Sequence, residues 1–113
     1  MEHIKQTYLL WHEYHSTLPK THRYTFGNKI DRLFIELIEA VSTGAFLSKQ
    51  EKLPYLRLGI RKLDTLKILL LILWESKSLD TKKFITLSEK TEAIGKMLSG
   101  WYGQIEKQNS PIK

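Results

Sequence analysis

The chain has 113 residues, 42% of them hydrophobic and 27% charged, with six Gly, three Pro and no Cys. That composition describes one folded domain, and it excludes a two-domain enzyme, a disordered chain, disulfides, thiolate zinc sites and cysteine nucleophiles. Eighteen Lys and Arg against twelve Asp and Glu leave a formal charge of +6, which favours an acidic partner such as RNA, DNA or an anionic protein face.

The first residues lack a basic start followed by an apolar stretch, so no secretory signal is expected and a cytoplasmic location is. Periodicity predicts four helices and no strand, over about residues 3–18, 22–43, 49–77 and 81–106. In the first helix Ile4, Tyr8, Trp11, His15 and Leu18 recur at spacings of four and three, and Pro19 stops it. The second is capped by Thr21 or Thr25, turns Phe26, Ile30, Leu33, Phe34, Leu37, Ile38 and Val41 inward, and ends near Gly44.

The third helix opens on Ser48-Lys49-Gln50-Glu51, a capping box, after which Pro54 predicts a kink or a fresh start. Its inward stripe is Leu56, Ile60, Leu63, Leu66, Leu70 and Leu73. The fourth, capped by Asp80 or Thr81, carries a heptad seam of Phe84, Leu87, Thr91, Ile94, Leu98, Trp101 and Ile105, the spacing of left-handed bundle packing. Four such helices joined by short loops predict a single all-α domain over 1–113, an antiparallel up-down-up-down four-helix bundle with a frayed tail from 107 to 113.

Seven consecutive apolar residues, Ile68 to Trp74, wrap the whole circumference of the third helix. The run is far short of the ~20 residues that cross a bilayer, so no membrane contact is expected. One bundle core cannot cover all of it. Ile68, Leu71, Ile72 and Trp74 are therefore expected to form an exposed patch that serves self-association, in preference to being covered by a neighbouring helix or loop.

No catalytic group and no metal or cofactor site is expected. His12 and His15 flank Glu13 but lie three apart, one residue short of the spacing that a helical zinc motif needs. Nucleophile elbows and glycine-rich phosphate loops are absent, and the carboxylate pairs Glu36/Glu39 and Glu89/Glu92 read as solvated charged faces. The cations are unevenly spread: residues 20–67 hold ten Lys and Arg against five Asp and Glu. Arg57, Arg61 and Lys62 on the third helix, then Arg23, Lys29 and Arg32 at the start of the second, are the candidate nucleic-acid-binding residues, able to neutralise phosphates with little sequence preference.

The stretches Leu18-Pro19-Lys20, Arg23-Tyr24-Thr25-Phe26-Gly27-Asn28-Lys29-Ile30 and Ile94-Gly95-Lys96-Met97-Leu98-Ser99-Gly100-Trp101 resemble the Avd proteins, the accessory variability determinants of diversity-generating retroelements, over about residues 8–104. Avd proteins belong to a wider group of small four-helix bundles that includes proteins encoded in intervening sequences of bacterial 23S ribosomal RNA genes. That wider group carries a Ser-Ile-Pro-x-Asn-Ile-Ala-Glu-Gly-like stretch after the second helix. Ala40-Val41-Ser42-Thr43-Gly44-Ala45-Phe46 stands there instead, which favours the Avd branch.

The resemblance implies a homopentameric barrel without enzyme activity, whose basic surface binds a reverse transcriptase and nucleic acid and so supports mutagenic cDNA synthesis. The alternative is an oligomeric protein-interaction module of the intervening-sequence type that does not bind nucleic acid. Within the resembling stretches, Gly27 reads as a small close-packing position, and Gly95 and Gly100 as sites of close helix approach.

Overall fold

Each helix begins and ends where local chemistry can satisfy its free backbone groups, and the structure, a computed structural model, describes residues 1–109 in these terms. Helix α1 spans Glu2–His15. It stops three residues before the expected end because the amides of Thr17 and Leu18 turn back to the carbonyls of Tyr14 and His15 in tight i→i+3 bonds.

Pro19, with φ −59° and ψ 146°, then starts a short turn, Lys20–His22, which continues through a π-turn, Arg23–Gly27, into α2 at Asn28–Ala45. Neither threonine caps this segment. The Thr25 hydroxyl donates backwards to the carbonyls of Thr21 and His22, and Pro19 occupies the N-cap position.

The capping box forms as expected: the Ser48 side chain accepts from the Glu51 amide, while the Glu51 carboxylate accepts from the Ser48 amide and hydroxyl. These hydrogen bonds hold the exposed Glu51 carboxyl below the usual glutamate range. Helix α3 then runs unbroken over Lys49–Glu75, without the fresh start expected at Pro54. The amide that proline lacks would bond Gln50, and both residues are exposed, so water can take the carbonyl.

A Schellman motif closes α3: the amide of Ser78 bonds the Leu73 carbonyl, that of Lys77 bonds the Trp74 carbonyl, and Leu79 folds back into the core. Lys77 takes the left-handed position of this motif at φ 67°. Asp80 caps α4, accepting from the Lys83 amide at 2.8 Å, while the Thr81 hydroxyl accepts from the Trp74 indole N–H instead. Helix α4 covers Thr81–Asn109, so 107–109 are helical where fraying was expected; residues 110–113 of the expected tail lie outside the described residues.

Four helices thus pack against one another around one core, and no strand occurs among the described residues. Helix α2 packs most extensively on α3, α3 on α4, and α1 bridges α4 and α2 in a rod of 54 × 22 × 20 Å. The predicted stripes form its interior. One layer holds Trp11, Phe34, Leu66, Leu70 and Leu87, and the other holds Ile4, Leu37, Leu63, Ile94 and Leu98.

Trp101 leaves the predicted seam and is 40% exposed. The 14-residue α1 is about half as long as the 29-residue α4, so the C-terminal turns of α4 extend past the first turn of α1, with Trp101 beside Met1. No helix among the described residues is long and apolar enough to cross a membrane.

Glycine placement separates two of the three expected contacts from the third. A Cβ on Gly27 would stand 2.9 Å from Cδ2 and 3.0 Å from Nε2 of His15, so glycine is what admits the imidazole there. A Cβ on Gly95 would stand 3.5 Å from Leu63 Cδ2, an ordinary packing distance. A Cβ on Gly100 would meet nothing within 4 Å, so no described helix approaches it closely.

Candidate interaction surface

The outer side of α3 carries the groups that sequence reasoning selected. Residues 57, 61, 68 and 72 fall at steps of four, seven and four, which keeps them on one line along the helix. Arg57 and Arg61 occupy the N-terminal part of that line and are exposed; Ile68 and Ile72 occupy the C-terminal part at 58% and 37% exposure, flanked by Leu71. The predicted cationic pair and the predicted apolar patch therefore lie end to end on one face. Leu58 is exposed as well, but among the cations of the N-terminal part and not in the apolar patch, a residue the periodicity missed because one leucine beside a cation has no pattern of its own.

Arg57 is positioned by α4. Its guanidinium donates to the Tyr102 hydroxyl and lies 5.5 Å from the centre of the Tyr102 ring. That hydrogen bond pushes the guanidinium pKa further up, so its charge is permanent. One turn on, the Arg61 side chain has no hydrogen-bond or ionic partner among the described residues.

Lys62, the third member of the expected cluster, projects about 100° away, toward α2. There its Nζ stands 3.3 Å from Glu36 Oε1, a charge contact without hydrogen-bond geometry. The two arginines and this lysine thus belong to different faces; Arg57 lies within electrostatic reach of Glu106, and Arg61 has no ion pair among the described residues.

The second expected group also divides. Arg23 donates through Nε and Nη2 to the Leu18 carbonyl at 3.0 and 2.8 Å, clamping the loop between α1 and α2. Its guanidinium is a structural tie. Lys29 is exposed beside a shallow cleft floored by Phe26 and Leu69, and Arg32 is exposed three residues further along α2. These two share the α2–α3 side of the rod with Lys62.

Trp74 departs from the expected patch. It stacks on Phe84 with centroids 4.9 Å apart and planes 10° from parallel, and its N–H reaches Thr81 at 3.0 Å. Two residues from Ile72 means about 200° of rotation, which turns this indole toward α4. Between α3 and α4 a cleft of about 440 Å³ runs beside the patch, lined by Ile68, Leu71 and Phe84 and bridged by the Lys67–Glu92 ion pair. The Lys67 ammonium holds the Glu92 carboxyl below the usual glutamate range.

The histidines take separate structural positions. His15 Nε2 donates to the Arg23 carbonyl at 3.2 Å, His22 Nδ1 meets the Ser78 hydroxyl across the bundle end, and His12 is exposed beside the Tyr8 ring. No three His, Asp or Glu side chains converge into a metal-sized cluster among the described residues.

Compared with known protein families, with curated proteins and with solved structures, the chain has no match in any of the three.

Proposed function

We propose that the protein is a non-enzymatic accessory subunit that self-associates through the apolar half of the α3 face and binds nucleic acid through its cationic half. On the Avd resemblance, the reading extends to a cytoplasmic homopentamer of up-down-up-down bundles that engages a reverse transcriptase and assists mutagenic cDNA synthesis. End-to-end pairs support the alternating helix directions: Lys49 at the start of α3 reaches Gln108 at the end of α4, Trp74 meets Thr81, and Lys83 reaches Thr17.

The observation that carries the reading is the arrangement on α3. Two exposed guanidinium groups sit one turn apart, in line with exposed Ile68, Leu71 and Ile72 further along the same face, with Asp64 between the arginines and the apolar residues. Guanidinium forks recognise phosphate without reading sequence, and clustered exposed apolar side chains favour assembly.

The test combines light scattering with binding to a structured RNA across a salt series. Removing two phosphate contacts with Arg57→Glu/Arg61→Glu is expected to lower the slope of log affinity against log salt by ~1.4–1.8, with the helical spectrum unchanged. Undiminished binding by that variant at moderate salt means the assigned face is wrong. A second reading, an oligomeric protein-interaction module, is favoured by the ion pairs that neutralise Lys62 and Lys67; RNA retention insensitive to salt supports it.

A further inference from the structure

At the end of the rod where α1 begins, the other helices continue and leave a groove. Val41, Gly44 and Ala45 of α2, Leu56 of α3, and Trp101 and Ile105 of α4 line a half-open cavity of about 350 Å³, with Met1 at its edge. That volume lies within the range of small-ligand sites, which also pair an apolar lining with a few polar groups. Here the polar side chains are Lys52 and Gln104.

Lys52 is the unusual member. The described residues include four half-buried lysines, at 52, 62, 67 and 83. Lys62 faces Glu36, Lys67 faces Glu92, and Lys83 contacts the Thr17 hydroxyl, Asp80 and the Tyr14 ring. Lys52 alone among them has no hydrogen-bond or ionic partner within the described residues. Its stem is held in place, since Cγ lies 3.5 Å from where a Cβ on Gly44 would stand. Two acids adjoin lining residues in sequence: Glu2, next to Met1, is engaged by Lys5 at 3.1 Å and Gln6 at 3.2 Å, and Glu106, next to Ile105, acts on Arg57.

We infer that this groove binds a small apolar anion, an alkyl or aryl carboxylate, whose apolar body lies against Trp101, Leu56 and Ile105 and whose carboxylate pairs with the Lys52 ammonium. An ammonium on a packed stem, with no ion pair among the described residues, selects an anionic head, and the apolar lining selects the body. This site is separate from the α3 outer face and does not depend on the function proposed for it.

Decanoate, below its micelle concentration, is the probe, titrated into the full chain by calorimetry. Saturable binding of one molecule per chain is expected. Lys52→Gln, and equally the replacement of decanoate by decan-1-ol, should weaken binding at least about tenfold, the loss of one charge-assisted contact. Ala45→Trp, an exposed lining position, should block the groove while leaving the helical spectrum intact. Absence of saturable binding, or binding indifferent to both variants, overturns the inference. So does a decanoate-free oligomer that Ala45→Trp dissociates, because the groove is then filled by a second copy of the chain.

Discussion

Replacing Gly27 with Ala probes the tightest close approach in the fold. The added Cβ would meet the His15 ring at 2.9 and 3.0 Å and Leu18 Cδ1 at 3.2 Å, against the 3.5–4.0 Å of comfortable carbon contacts. The ring has little room to retreat. Nε2 is tied to the Arg23 carbonyl at 3.2 Å, and the imidazole packs edge-on against Trp11 with centroids 5.6 Å apart. Overpacking of this kind costs about 1–3 kcal/mol, and straining the tether adds up to ~1 kcal/mol. Against this, Ala gains ~0.5–1 kcal/mol over Gly in helical backbone.

Gly27→Ala should therefore destabilise by about 1–2 kcal/mol. In a His15→Ala background the obstructing ring is gone, only the mobile end of Leu18 remains, and the same substitution should be neutral or stabilising by ~0.5 kcal/mol. Urea unfolding of the four proteins at one chain concentration, followed by far-UV circular dichroism, yields a coupling of about 2 kcal/mol. If Gly27→Ala has the same effect in both backgrounds to within ~0.5 kcal/mol, the imidazole is not what makes glycine necessary there.

Other positions make separate predictions. Lys77→Gly removes a side chain from the left-handed position that ends α3 and should raise stability by about 0.5–1 kcal/mol in the same urea assay. Asp80→Ala removes the N-cap of α4 and should cost about 1 kcal/mol, with Asp80→Asn restoring most of it. The Glu92 carboxyl, held by Lys67, should titrate below the ordinary glutamate value of ~4.3 in a carbon-detected NMR series and return toward it in Lys67→Gln. Because its folded pKa is depressed, the stabilisation it contributes is present above the unfolded value and lost as pH falls through the folded one. Unfolding midpoints of wild type and Lys67→Gln should accordingly converge as the pH is lowered through that window, and a constant difference would contradict the pairing.

Much of this architecture is written in local chemistry. Apolar spacing locates the four helices, Ser48 and Glu51 mark the start of α3, Asp80 marks that of α4, and the excess of apolar residues from 68 to 74 announces that part of the run must face outward. Each of these follows from interactions within a turn or two of helix, where composition and spacing suffice. The same spacing cannot report what stands opposite a residue. Trp74 has the hydropathy of its exposed neighbours, yet it turns to stack on Phe84, and Trp101 continues a heptad seam beyond the reach of α1.

The candidate site divides in the same way. That cations concentrate on α2 and α3 is visible in the sequence; which of them stay available is not. Arg23 is taken by the Leu18 carbonyl and Lys62 by Glu36, while Arg57 is braced by Tyr102, 45 residues away, and Arg61 has no side-chain partner among the described residues. Lys52, without a partner among the described residues, lines a groove at the end where α1, the shortest of the four helices, begins. The helices, their inward faces and the sign of the charge are properties of neighbours along the chain, and composition and spacing report them. Which charges are neutralised and which apolar surfaces stay open depends on packing, because a counter-charge or a covering side chain is supplied by a different helix, at a distance in sequence that no periodicity encodes.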